Sequence, residues 1–162
     1  MVITLGAPLN LEQFVQIARF GAEVAFSPDY CSRVRRAREL IEKAISEDRV
    51  MYGVTTGFGS LSTRVINKEE AQQLQRNIVL SHSISVGEPY TPEQVRATML
   101  MVLQNVGQGY SGVRLEVLEL LREMLNRDVT PWMPREGSVG YLSPEAHMAL
   151  VHIGEGQAWY QG

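Results

Sequence analysis

Apolar positions recur at helical spacing along most of the chain. After Asn10, a residue type suited to capping, Leu11, Phe14, Val15 and Ala18 fall on one face, and Gly21 closes the segment. Ser27-Pro28 opens a second helix expected to reach Asp48, with Val34, Ala37, Ile41 and Ile45 in register. Asn67 is placed to cap a third, which carries Glu69 and Glu70 in its first turn and runs through Leu74 and Ile78 towards His82. Thr91-Pro92-Glu93 starts a fourth, with Val95, Met99, Val102 and Val106 on one face. Val113 to Asn126 makes a fifth, on Val117, Leu120, Leu121 and Met124, and a last helix begins near Ser143. Residues Met1 to Pro8 alternate weakly, as a short strand would. Thr130 to Pro134 reads as extended. Val50 to Ser62 has no amphipathic period and reads as a short strand entering a glycine-rich loop. Breaks fall at Gly87, at Gly107 to Gly112 and at Gly137. The pattern predicts one mainly α domain over residues 1–162, with its chemistry on irregular loops.

Composition narrows the class. A chain of 162 residues with 44% apolar and 20% charged residues can bury a real core as a soluble globular protein. A formal charge of −3 argues against a nucleic-acid surface. Arg33, Arg35, Arg36 and Arg38 interleave with Glu39 and Glu42 and read as a solvated helix face. Cys31 stands alone, so no internal disulfide is expected, and a reducing cytoplasm fits. Three histidines and one cysteine give no metal-ligand spacing, so no metal is expected. The start has no signal-peptide pattern, and no apolar run would span a bilayer. Ala158 to Gly162 ends on exposed aromatic residues within an element, which asks for a covering partner or more chain.

Two stretches and one histidine carry candidate chemistry. The run from Gly137 to Met148 is a glycine-bracketed loop entering a helix. Ser143 is suited to cap, Pro144 to the first helical position and Glu145 to the positive end of the dipole. Such a junction aims backbone N–H groups at one spot, which suits an anion or a developing negative charge. On spacing alone it is a tight turn before a helix. Tyr52-Gly53-Val54-Thr55-Thr56-Gly57-Phe58-Gly59 is glycine-rich but lacks the lysine of a phosphate loop. On its own, His82 reads as a dipole partner at a helix end.

Together these stretches resemble the aromatic amino acid ammonia-lyase family. Its cofactor loop reads Gly-Ser-Val-Gly-Ala-Ser-Gly-Asp-Leu-x-Pro-x-Ala-His-Met. Gly137 to Gly140, Leu142, Pro144 and Ala146-His147-Met148 match it, Tyr141 stands where the family has Asp, and Ala-Ser-Gly is absent. The resemblance covers Leu5 to Gly162 and corresponds to the amino-terminal part of the family fold. Full-length members add a central helical bundle with further substrate-binding side chains. It implies a methylidene-imidazolone electrophile, formed from Ala-Ser-Gly, between Gly140 and Tyr141 and flanked by Leu142. The frame resumes cleanly on both sides of the gap, as it would around one matured unit.

It also implies Tyr52 as the base, on a loop over the site, with Thr55 where Asn is common and with Gly59 allowing close backbone approach. A phenol ordinarily titrates at about 10, so this role needs nearby positive charge or hydrogen-bond donors. His82, in Leu80-Ser81-His82-Ser83, resembles the histidine enzymes and is placed to contact a polar substrate ring. The implied reaction of the complete protein is conversion of L-histidine to urocanate and ammonia, in a cytoplasmic homotetramer, with the fragment alone inactive. A tyrosine lyase or aminomutase stays open, as does a catalytically inactive binding or assembly domain. His147 is expected to support packing, and His152 has no assigned role. Gln104, Asn105 and Gln108 are taken as structural, and Arg114 as fixing a helix start or a subunit contact.

Overall fold

The structure is a computed structural model and describes residues 1–57, 68–138, 140 and 142–161. The mainly α expectation holds, with six helices and only short strands among the described residues. Three helix starts are built by the caps read from the sequence. Asn10 accepts the Gln13 N–H at 2.8 Å, and the Gln13 side chain accepts the Asn10 N–H at 3.1 Å, closing a capping box on α1 (Leu11–Ala18). Ser27 accepts the Tyr30 N–H at 3.1 Å and starts α2 (Pro28–Ser46). Thr91 does the same for Gln94 at 3.3 Å and starts α4 (Pro92–Val106). The expected cap of α3 (Lys68–His82), Asn67, lies outside the described residues. Arg114 does stand at the start of α5 (Leu115–Asn126), but its side chain makes no capping bond.

The strands correct the sequence picture. The expected strand, β1 (Val2–Leu5), pairs in parallel with β2 (Glu23–Phe26), which the pattern did not suggest. Gly87 does not simply break the chain: it lies within β3 (Val86–Pro89), antiparallel to β5 (Pro134–Glu136). The extended Thr130 region becomes β4 (Val129–Pro131). Its partner is β6 (Ala158–Tyr160), so the aromatic end is a strand paired within its own chain, with Tyr160 still exposed. Trp159 lies against Trp132 with ring centroids 4.8 Å apart.

The core gathers Leu5, Ile17, Val24, Tyr30, Val34, Met99, Leu100, Leu103, Leu121 and Leu125, all at most 3% exposed. Two helix faces are only partly the expected ones, with Ala18 of α1 and Leu121 and Met124 of α5 buried as expected. Leu11 of α1 is 78% exposed while Ile17 is buried, because α1 meets α4 through its far end. In α5, Leu115, Leu118, Leu121 and Leu125 face inwards, and Val117 and Leu120 are nearly half exposed. Apolar residues cover more than one side of α5, so periodicity alone does not say which side wins. Its second face borders an apolar groove of about 1080 Å³ with Val79, Val102, Met148 and Ile153.

The basic cluster on α2 is not merely solvated. Arg33 donates to the carbonyls of Gly6 (3.1 Å) and Gly107 (3.4 Å) and pairs with Asp29. Arg38 donates to the Gly112 carbonyl at 3.4 Å and pairs with Glu42. Arg35 and Arg36 stay exposed. Tyr30 fixes the same corner: it is 1% exposed, donates to the Leu103 carbonyl at 2.7 Å, and burial pushes its phenol well above the usual range. Its ring sits where a Cβ on Gly107 would fall 2.0 Å from it, so this position requires glycine. No described helix is long and apolar enough to cross a membrane, and no described cluster of His, Cys, Asp or Glu could hold a metal ion.

Candidate functional site

Residues 137–142 join β5 to α6 (Ser143–His152). Gly137 packs on Ser85, and a Cβ there would lie 2.1 Å from the Ser85 Oγ. The Ser143 N–H donates to the Ser138 carbonyl at 3.1 Å, five positions back, which closes the loop on itself. Leu142 holds the left-handed conformation at φ 54° as the last residue before the helix, and is exposed. Gly140 is exposed too, whereas Tyr141 lies outside the described residues.

Ser143 does not cap the helix, contrary to expectation. It is the first helical residue, 0% exposed, and its Oγ has no hydrogen-bond partner among the described residues. The left-handed Leu142 takes the cap position, which turns the Ser143 side chain inwards. Pro144 follows it, and Glu145 lies in the first turn as expected. The Oγ of Ser85, 6% exposed, likewise has no partner among the described residues.

His147 lies one turn after Ser143, on the same face of α6. Burial pulls its pKa below 6.5, opposed by a hydrogen bond to the Ser85 backbone. A histidine depressed in this way binds its proton less readily folded than unfolded. Its contribution to stability is therefore complete above about pH 6.5 and declines as pH falls towards the lowered folded value. The thermal midpoint should drop between about pH 7.5 and pH 5.5, and His147→Gln should lose part of that drop. An unchanged pH slope in the variant would remove His147 as a source of it.

His82 ends α3, and its Nδ1 lies 2.9 Å from the Ile78 carbonyl and 3.1 Å from the Ser81 Oγ. A carbonyl only accepts, so Nδ1 carries the hydrogen, and in the uncharged ring Nε2 is an acceptor. Ser85 follows three residues later, so its contact with Gly137 brings the His82 end of α3 to the loop.

The Tyr52 stretch is a turn, not the short strand expected. The Thr55 hydroxyl accepts the Met51 N–H and donates to the Arg49 carbonyl, both at 2.8 Å. Thr56 Oγ1 accepts the Gly53 N–H at 3.2 Å, and Gly53 sits at φ 71°. These bonds are local to residues 49–57, and they hold Tyr52 66% exposed. Gly59 lies outside the described residues. The sequence did not point to Ser85, nor to the turn-closing bonds of Thr55 and Thr56. The Thr-Thr pair beside Gly53 was a usable turn signal, and nothing in the sequence marked Ser85.

The model of the family described as aromatic amino acid lyase matches residues 9–162. A histidine ammonia-lyase of Myxococcus xanthus is 47% identical over 160 residues, covering 97% of this chain and 32% of that protein. A second, from Caldanaerobacter subterraneus, is 44% identical over 164 residues, covering 99% and 32%. That match is longer than the 162 residues of this chain, so at least two positions of the relative have no counterpart here. Among solved structures, the ergothioneine-degrading ergothionase of Treponema denticola superposes with a TM-score of 0.95 at 29% identity, over 100% of this chain and 33% of its own. The chain thus spans about a third of the length of the curated relatives it matches. Fold and sequence agree over nearly every residue, and the chain belongs to the aromatic amino acid lyase family.

Proposed function

We propose that this chain forms the amino-terminal face of an ammonia-lyase-type site for an aromatic L-amino acid, with L-histidine as the first candidate. The contact of Ser85 with Gly137 carries the reading, because it joins the His82 end of α3 to the family's loop frame. The names of the matched histidine ammonia-lyases support the choice of substrate. In this reading the complete protein, assembled as the family's tetramer, carries the frame of a site for elimination of ammonia to give urocanate.

Each residue has a distinct task. His82 offers Nε2 as an acceptor to the ring N–H of L-histidine, or to the hydroxyl of tyrosine, while phenylalanine has nothing to give it. Tyr52 stands where a base would take the β-hydrogen, held in its turn by Thr55 and Thr56. Gly59 lets backbone approach the ligand. The family's electrophile would supply activation of the departing amino group. The residues here do not fit it, since Gly140 is followed directly by Tyr141 and the tripeptide that forms the group is missing.

Calorimetry on the full-length protein tests the ligand class independently of turnover. L-Histidine should bind more tightly than L-phenylalanine, and His82→Leu should remove about tenfold of that preference, the worth of one hydrogen bond. Equal affinities in the unmodified protein would sink the reading.

A further inference from the structure

We infer that this chain does not mature into an electrophile-bearing loop, and that its site holds the aromatic amino acid without eliminating ammonia. The ligand class rests on the reading above; the missing electrophile rests on the chain's own residues. The ring of a methylidene-imidazolone is made from three consecutive residues with serine in the middle. The amide nitrogen of the third attacks the carbonyl carbon of the first and one water leaves. The serine side chain loses a second water and becomes the methylidene carbon. No oxidant or reductant is involved, so the requirement is purely local: a serine, followed by a residue whose nitrogen bears a hydrogen and is unhindered.

Two serines flank the Gly140–Tyr141 junction, and neither meets that requirement. Ser143 is followed by Pro144, whose nitrogen has no hydrogen to lose, so no ring can close there. Ser143 is also the first residue of α6, wholly buried, with its N–H held by the Ser138 carbonyl. Ser138 is followed by Val139, whose branched Cβ crowds the nitrogen that would attack, where the family tripeptide has glycine. The residue before Ser138, whose carbonyl would be attacked, is Gly137, which is wedged against Ser85.

The loop is short as well as chemically unsuited. The bond from Ser143 to Ser138 spans five positions, and a family-length loop would place three more residues inside that ring. The longer match to the Caldanaerobacter protein fits a loss of positions in this chain. Without the electrophile the amino group remains a poor leaving group and the β-hydrogen remains weakly acidic. A base at Tyr52 has nothing to work against, and a bound amino acid leaves unchanged.

The test uses the full-length protein in three measurements: tandem mass spectrometry of the peptide from Glu136 to Met148, calorimetry with L-histidine, and urocanate formation by absorbance. The expected result is a peptide mass equal to its encoded residues, binding of L-histidine, and no urocanate. Inserting Ala-Ser-Gly between Gly140 and Tyr141, together with Tyr141→Asp, should then give a peptide two waters lighter than its encoded residues. It should also raise urocanate formation by about tenfold or more over the unmodified protein. An added mass in the unmodified peptide, or urocanate made by the unmodified protein, overturns the inference, and both are read whether or not the insertion variant folds. A bare peptide with no histidine binding leaves the missing electrophile standing and rejects the ligand class instead.

Discussion

In a chain with Ala-Ser-Gly restored between Gly140 and Tyr141, Tyr52→Phe should lower urocanate formation by about 10²- to 10⁴-fold, the usual worth of a positioned acid or base. The substitution removes one oxygen and leaves the turn intact. Thr55 closes that turn on Met51 and Arg49, Thr56 closes it on Gly53, and neither bond involves the phenol. Circular dichroism and oligomeric state should therefore match the parent, and L-histidine should still bind, because the contact proposed for the ring belongs to His82. Turnover within a few-fold of the parent would remove Tyr52 as the base. A loss of binding together with turnover would make Tyr52 a ligand contact instead.

The second large effect is on stability. Arg96 is 7% exposed, and its guanidinium donates to the carbonyls of Ile17 (3.0 Å) and Leu125 (2.9 Å) and to Asp128 Oδ1 (3.3 Å). It ties the end of α1 and the end of α5 to the middle of the domain. Arg96→Met keeps much of the side-chain volume but leaves two buried carbonyls without a donor, at about 1–3 kcal/mol each. A loss of about 3 kcal/mol should lower the thermal midpoint by roughly 6–12 °C in a chain of this size. A shift under about 2 °C would mean that water replaces the guanidinium at little cost. In the sequence Arg96 was one more charge on an amphipathic helix, and nothing distinguished it from its solvated neighbours.

That contrast marks the division between what was legible and what was not. Asn10, Ser27 and Thr91 announced helix starts, because a cap is a local device that needs only the next three residues. Beyond β1 and the extended Thr130 region, the strands did not announce themselves. At three or four residues each they are too short to show an alternating period, and their partners lie far along the chain, as Leu5 pairs with Phe26 and Pro131 with Ala158. The inward face of α5 was only half read, through Leu121 and Met124, because the helix is apolar on two sides and only tertiary packing chose between them. The loop motif was legible as a frame. What it does locally depends on a left-handed Leu142 and on Ser85, and neither has a sequence signature.

The tilted pair of Trp132 and Trp159 has a practical consequence, because these are the only two tryptophans in the chain. Tryptophan fluorescence therefore has one source, the end of the β4–β6 ribbon, while far-ultraviolet dichroism reads the helices. If the ribbon opens on its own, fluorescence will change at a lower temperature than the helical signal, and superimposable curves would mean that the domain melts as one unit. The two spectra thus separate a local opening from global unfolding without any added label.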